Sequence, residues 1–173
     1  MNVQWSFRKT LSKEAYMIFV RDYKSTLYRL ALGYLKEEAD ALEAVDEAVY
    51  LGLLKLHQLK EQEKLKPWLT SILINECRGI LRRQKKLLVT EVLPEVVDDT
   101  KAVSMTLREA LGKLPEDLQE VIILRYFGDY TVKDTAQELN LPQGTVATRT
   151  KKALALLKEE LISLEGGMYH ESI

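Results

Sequence analysis

Two stretches of the chain carry side chains of a type and spacing that could do chemistry, and in both the chemistry is recognition of a polyanion. Between residues 60 and 90, eight bases (Lys60, Lys64, Lys66, Arg78, Arg82, Arg83, Lys85, Lys86) stand against three acids (Glu61, Glu63, Glu76), a local net of +5. Within it Ser71, Asn75, Arg78, Arg82 and Lys85 recur at three- and four-residue steps, so a helix puts them on one face. Arginine and lysine neutralise phosphates, while Ser and Asn hydrogen-bond bases or backbone. A solvated helix end has the same composition. The second stretch, residues 141–158, holds Arg149, Lys151, Lys152 and Lys158 and no acid. Thr145, Thr148, Arg149 and Lys152 fall on one side of a helix there, with Val146, Leu154, Leu157 and Leu161 on the other. A helix with polar N-terminal residues and this local charge suits a DNA major groove.

The elements that position the second set read as a helix-turn-helix. Thr131-Val132-Lys133-Asp134 is a capping box opening a short helix. Ala136 is small, as a close helix crossing requires. Asn140 sits in the turn and tolerates a left-handed backbone. Leu141 and Val146 fill the wedge, and the second helix runs from Gln143 to about Leu164. An ordinary helical hairpin with a solvated lysine face is the alternative.

The rest is helical too. Of the four prolines (Pro67, Pro94, Pro115, Pro142), three stand where a helix begins, and no run alternates long enough to argue a sheet. Helices are predicted over Lys13–Tyr34, with Gly33 near its end, over Glu37–His57, and over Pro67–Lys86. In the second, Leu42, Val45, Val49, Leu53 and Leu56 form an apolar stripe; in the third, Leu69, Leu73, Cys77, Ile80 and Leu81 form the buried side. Cys77 thereby reads as a small core residue. Residues 91–100 hold four acids, no base and a proline, the composition of a linker. A short helix resumes near Val103 and ends at Gly112–Lys113; the next starts at Pro115 and ends at Phe127–Gly128. The expected fold is all-α: two small helical domains over residues 10–87 and 103–164, a flexible acidic linker over 88–102, and a tail over 165–173.

Composition bounds the alternatives. The 173 residues carry 25 bases and 26 acids, so nucleic-acid contact must come from local patches. One cysteine and two histidines, His57 and His170, supply neither an internal disulfide nor a metal-ligand cluster. A reduced, cytoplasmic setting is the default, and no apolar run is long enough to span a bilayer or to serve as a clean signal core. No cofactor is expected. With no glycine-rich phosphate loop and no persuasive Cys–His or Ser–His spacing, no enzyme is expected either.

The order of the pieces resembles an extracytoplasmic-function sigma factor of the sigma-70 family. Tyr23–Lys86, with EADALEAVDEAVYLGLLKL, KPWLTSILIN and ILRRQKK, resembles sigma region 2; Leu107–Leu161, with ALGKLPEDLQEVIILRYFGDYTVKDTAQELNLPQGTVATRTKKAL, resembles region 4. The W-L-x-x-I-x-x-N run at Trp68–Asn75 and the G-T-V-x-x-R run at Gly144–Arg149 are the most specific matches. The resemblance implies core RNA polymerase as partner, with region 2 on the β′ clamp helices and region 4 on the β flap. It also implies promoter DNA as ligand and an anti-sigma factor, often membrane-anchored, as inhibitor, without direct membrane insertion of this chain. Carried onto this sequence, the polymerase-binding face is Glu43, Asp46, Glu47 and Tyr50, with Asp46 where the family commonly has Gln. The −10 melting surface is Asn75, Arg78, Arg82, Arg83 and Lys85 with the loop His57–Lys66, near which a base flips into a pocket. The −35 reader is Gln143, Thr145, Thr148, Arg149 and Lys152. An anti-sigma factor would share the surfaces near Glu43–Tyr50 and Leu118–Phe127. Two other readings remain, a stand-alone helix-turn-helix regulator and an enzyme or structural bundle; the Trp68–Asn75 signature beside a basic face argues against the first, and the lack of a metal cluster, a phosphate loop or a Cys–His or Ser–His spacing argues against an enzyme.

Overall fold

The computed structural model describes residues 11–88 and 102–168. Most of the expected acidic linker and the end of the expected tail lie outside the described residues. The chain divides between Gln84 and Lys85 into two compact units, and among the described residues the regular elements are all helical.

The first unit is built from α1 (Lys13–Leu35), α2 (Glu38–Lys55) and α3 (Leu65–Leu88), the last turn of which runs past the division. Ser12 caps α1, its hydroxyl oxygen accepting from the Ala15 N–H at 3.1 Å. The helix runs one residue past the expected Tyr34, to Leu35, and is capped by Lys36, whose left-handed backbone (φ 66°) lets its N–H reach the Leu32 carbonyl. Two short 3-10 turns, Leu56–Gln58 and Gln62–Lys64, join α2 to α3. Pro67 lies in the first turn of α3, where its missing N–H has no intrahelical partner to lose.

The α2 stripe corrects the sequence expectation. Leu42 is 48 % exposed, and the buried line is Ala41, Ala44, Val45, Ala48 and Gly52. Small side chains let α2 pack closely on α1 and α3, so Leu42 and Leu53 end at the margin of the interface, while Leu56, just past the helix, is buried as expected. On α3, Ile74 and Thr70 join Leu69, Leu73, Cys77 and Ile80 in the core, while Leu81 is only half-buried. Burial pushes the Cys77 thiol up to about 12, so it stays protonated and unreactive, as a core residue should.

Gly52 marks a tight crossing. A Cβ there would collide with the Tyr16 hydroxyl and come within 2.9 Å of Leu69 Cδ1. Tyr16 is fully buried, donates to the Val49 carbonyl at 2.8 Å, and its phenol is raised to about 12 by desolvation. Gly52→Ala gains helix propensity but must displace that ring and its hydrogen bond. A net loss of about 2 kcal/mol is expected, read in urea denaturation as a lower midpoint of the first unit's transition at unchanged slope.

The second unit comprises α4 (Ala102–Lys113), α5 (Glu116–Ile122), α6 (Val132–Glu138) and α7 (Gln143–Met168). One π turn, Ile123–Phe127, prolongs α5; the Gly128 N–H reaches back to the Ile123 carbonyl. Ala110, Leu111 and Leu114 of the α4 end, Leu118 and Ile122 of α5, and Ala153 and Leu157 of α7 form one core cluster. The Gln119 amide donates to the Leu111 carbonyl at 2.7 Å, satisfying the end of α4. Lys113 bridges Glu109 (3.6 Å) and Glu160 (3.2 Å), and these carboxylates hold its ammonium above its ordinary range. On α7, Thr150 and Ala153 are buried and Leu154 is 41 % exposed, so the inward line is rotated from the leucine stripe expected. The helix also runs past Leu164 to Met168.

Candidate nucleic-acid interface

On α3, Ser71, Asn75, Arg78, Arg82 and Lys85 span a sector of about 80°, facing away from Leu69, Leu73, Cys77 and Ile80. Asn75, Arg82 and Lys85 are exposed; Ser71 and Arg78 are half-buried. Arg83 does not join them. It lies about 100° from Arg82 and lines a separate 220 Å³ cleft with Glu43, Glu47 and Glu76, on the acidic side of the unit.

A second cleft, of about 340 Å³, opens between the 3-10 turns and the start of α3. Leu59, Pro67 and Trp68 give it apolar walls; Gln58, Lys60, Glu61, Lys64 and Ser71 are its polar lining, with the Lys64 ammonium 3.1 Å from the Glu61 carboxylate. An apolar, aromatic slot with cations at its mouth is what an unstacked base next to its phosphates requires. The Lys66 ammonium sits 5.4 Å from the Tyr23 ring and the Tyr23 hydroxyl 3.4 Å from Thr70 Oγ1, fixing this end of α3 against α1. Trp68 was legible only as part of a motif, because a lone half-buried tryptophan has no spacing that separates a pocket wall from a core residue.

On α2, Glu43, Asp46, Glu47 and Tyr50 are all exposed, opposite the buried alanines. Tyr50 is 56 % and Leu54 54 % exposed one turn apart, so an apolar pair stands among the carboxylates. Leu54 is an addition to the expected set; its signal is the i,i+4 step from Tyr50. Asp46 is shared with α1, its carboxylate 3.7 Å from Lys24 Nζ.

In the second unit the helix-turn-helix is built as its sequence predicts. Thr131 accepts from the Asp134 N–H at 3.1 Å while Asp134 accepts from the Thr131 N–H at 3.1 Å, a complete capping box. Asn140 takes the left-handed turn (φ 53°). Val121, Ala136 and Val146 form the buried wedge, with Val132, Leu139 and Leu141 packed on it.

This wedge presents Thr145, Thr148, Arg149 and Lys152 of α7 outward; Thr148 and Lys152 are exposed, Thr145 and Arg149 half-buried. Thr148 Oγ1 donates to the Gly144 carbonyl at 2.9 Å, so its remaining capacity is as an acceptor. Gln143 stands apart from this row, in a cleft of about 390 Å³ with Lys133, Gln137 and Asn140 at the turn. Arg149 is not solely outward-facing: its Nε lies 3.4 Å from Asp117 Oδ2 of α5. Between Leu118 and Phe127, five apolar residues (Leu118, Val121, Ile122, Ile123, Leu124) are buried, which corrects the expectation of an apolar docking surface there; Tyr126, at 53 % exposure, is the exposed large apolar group of that stretch.

Residues 19–87 match sigma-70 region 2, and residues 104–157 match sigma-70 region 4. RNA polymerase sigma factor SigV of Bacillus subtilis (strain 168) is 32 % identical over 159 residues, covering 89 % of this chain and 95 % of that protein. This chain is an extracytoplasmic-function sigma factor of the sigma-70 family. The ECF RNA polymerase sigma factor SigW of the same organism is 24 % identical over 171 residues, 88 % of this chain and 91 % of its own. The fold is also that of the sigma factor RpoE in its complex with the anti-sigma factor NepR from Bartonella quintana (TM-score 0.68, 24 % identity, 83 % of this chain and 96 % of that one). CnrH, in complex with the cytosolic domain of CnrY, is similar as well (TM-score 0.70, 20 % identity, 88 % and 90 % covered). Sigma factors are transcription initiation factors, not enzymes. The region 2 match embraces α2, α3 and the Trp68 cleft of this sigma factor, and the region 4 match embraces the helix-turn-helix. No helix among its described residues is long and apolar enough to cross a membrane.

Proposed function

We propose that this sigma factor works in the cytoplasm, docking on core RNA polymerase through Glu43, Asp46, Glu47 and Tyr50 of α2, on the β′ clamp helices, with its second domain on the β flap. Residues 10–87 form the polymerase-binding and −10 domain and residues 103–164 the −35 domain. Asn75, Arg78, Arg82 and Lys85 hold the opened −10 strand beside the Trp68 cleft. Arg83 belongs with the α2 acids and acts on the polymerase side. Thr145, Thr148, Arg149 and Lys152 read the −35 element in the major groove, and Gln143 contacts backbone from the turn.

The observation that carries this reading is the Trp68-walled cleft next to an exposed Asn75–Arg82 row. A stand-alone helix-turn-helix regulator has no use for a single-strand site on a second domain. Run-off transcription with core polymerase and a panel of promoter fragments tests it. Specific transcripts are expected only when both the chain and core enzyme are present. The free chain, with a formal charge of −1, should bind duplex promoter weakly. Nanomolar protection of a promoter by the chain alone would favour a stand-alone regulator instead.

Control by an anti-sigma factor is part of the proposal. The sigma factor RpoE, similar in fold to this chain, is bound to the anti-sigma factor NepR in its crystal. The partner covers the Glu43–Tyr50 surface of α2, where Tyr50 and Leu54 offer exposed apolar area, and the Tyr126 end of α5.

Gly144 gives a separate test of the −35 surface. A Cβ on it would meet nothing within 4 Å, so packing does not require glycine there. Gly144→Ala should leave or raise stability, by up to about 1 kcal/mol from helix propensity. Promoter binding by the holoenzyme should fall about fivefold as the added methyl meets an approaching phosphate. Equal affinities of the two proteins in a filter-binding titration would place the DNA away from the first turn of α7.

A further inference from the structure

The Arg149–Asp117 pair raises a question that the −35 surface alone does not answer. Arginine reads guanine through two parallel hydrogen bonds, which requires its planar guanidinium to be held at a fixed angle. A long side chain on an exposed helix face loses rotamer freedom when it is so held. Thr148 and Lys152 stand out into solvent, but the Arg149 side chain is only 31 % exposed and its Nε lies 3.4 Å from Asp117 Oδ2. Engagement at Nε leaves the two terminal nitrogens to make the paired bonds.

Both partners are firmly placed. Asp117 is in the first turn of α5, directly before the buried Leu118, with Pro115 entering that turn. Arg149 precedes the buried Thr150 and lies one turn before the buried Ala153. Leu118 and Ala153 belong to the same core cluster, so packing sets the α5–α7 spacing at which the pair meets. The carboxylate also has a cost: an acid beside the recognition helix repels phosphate. A half-exposed ion pair adds little to stability, so stability alone does not account for placing an acid there.

We propose that Asp117 is a positioning residue for −35 recognition: it orients the Arg149 guanidinium for base reading and exchanges some general DNA affinity for sequence discrimination. This rests on the −35 reading of Arg149 given above. The opposing effects on discrimination and on general affinity set it apart from a structural role, which would lower both together.

The test uses full-length chain assembled with core polymerase, a promoter fragment it transcribes, single-base variants of the −35 element, and a fragment without a promoter. Asp117→Asn keeps the shape and removes the charge. It should lower discrimination against the wrong base at one −35 position by about tenfold, within the range a bidentate Arg–base pair supplies. It should also raise binding to the promoterless fragment about twofold, because a negative charge near the phosphates has gone. Arg149→Ala should lose the same discrimination, Asp117→Asn added to Arg149→Ala should cost no more, and Asp117→Glu should recover part of it. If Arg149→Ala alters −35 discrimination while Asp117→Asn does not, the positioning role is overturned and the −35 reading stands. If Arg149→Ala leaves discrimination intact, both fall. Parallel loss on promoter and promoterless DNA by Asp117→Asn, with a lowered melting temperature, would assign the pair to folding and overturn the proposal.

Discussion

Replacing Tyr50 by Asp is expected to weaken binding of this sigma factor to core RNA polymerase by about 30-fold or more, since the loss of an aromatic hot spot costs about 2 kcal/mol and upward. Tyr50 is 56 % exposed and stands with Leu54 among Glu43 and Glu47, on the side of α2 opposite Ala41, Ala44, Val45 and Ala48. A surface that combines an aromatic, an aliphatic and carboxylates suits a partner offering cations around an apolar contact. A new carboxylate at position 50 removes the ring and adds a charge that burial would leave unpaired. The fold should not suffer, because nothing in the first unit's core depends on this side chain. Competition titration of labelled sigma factor on core enzyme measures the effect, with circular dichroism as control and Tyr50→Phe expected to keep most of the affinity. Unchanged binding by the aspartate variant would remove this face from the polymerase interface. A matched pull-down with the anti-sigma factor is expected to show the same weakening; retention of that partner alone would show that the two occupy different surfaces at Tyr50.

The elements legible in the sequence were those whose signals are local. The Thr131–Asp134 capping box, the left-handed Asn140 and the Ala136–Val146 wedge follow from residue chemistry within about fifteen positions, and all are present. Helix faces were harder. Apolar counting put Leu42 and Leu154 inward, yet close helix crossings select alanine and glycine, and these displace leucine to the margin. The rotation is small on a helical wheel but decides which side chain is available to a partner. The same limit separated Arg83 from Arg82: adjacent residues in a basic run point about 100° apart, and only the position of α2 shows that one of them lines a cleft with carboxylates. The Asp117–Arg149 pair joins residues of different helices, and no periodicity within either helix announces it. The apolar run between Leu118 and Phe127 fits a docking surface and a helix surrounded by its own domain equally well in sequence, and only burial separates the two.

Trp68→Ala should separate promoter binding from promoter opening. Trp68 walls the 340 Å³ cleft together with Leu59 and Pro67, while Lys60 and Lys64 stand at its mouth. Stacking of a base on an aromatic side chain contributes about 1–3 kcal/mol, and unpairing that base costs a few kcal/mol that such contacts must offset. Removing the indole therefore shifts the opening equilibrium toward the closed duplex by roughly 5- to 150-fold, the same 1–3 kcal/mol expressed as a ratio. Thr145, Thr148, Arg149 and Lys152, proposed above for duplex recognition, lie in the other unit, so duplex affinity should be unaffected. Permanganate reactivity of −10 thymines reports opening, and filter binding of the holoenzyme reports duplex affinity. The expected result is a large loss in the first with little change in the second. On a fragment already unpaired across −10 the opening cost is absent, so there the variant should lose only stacking and recover much of its transcription. Trp68→Tyr retains a stacking face and should restore most opening on duplex DNA, whereas Ser71→Ala, which trims the rim and not the wall, should have a smaller effect. Should the alanine variant open promoters as well as the parent while keeping its helical content, the flipped base does not lodge in this cleft.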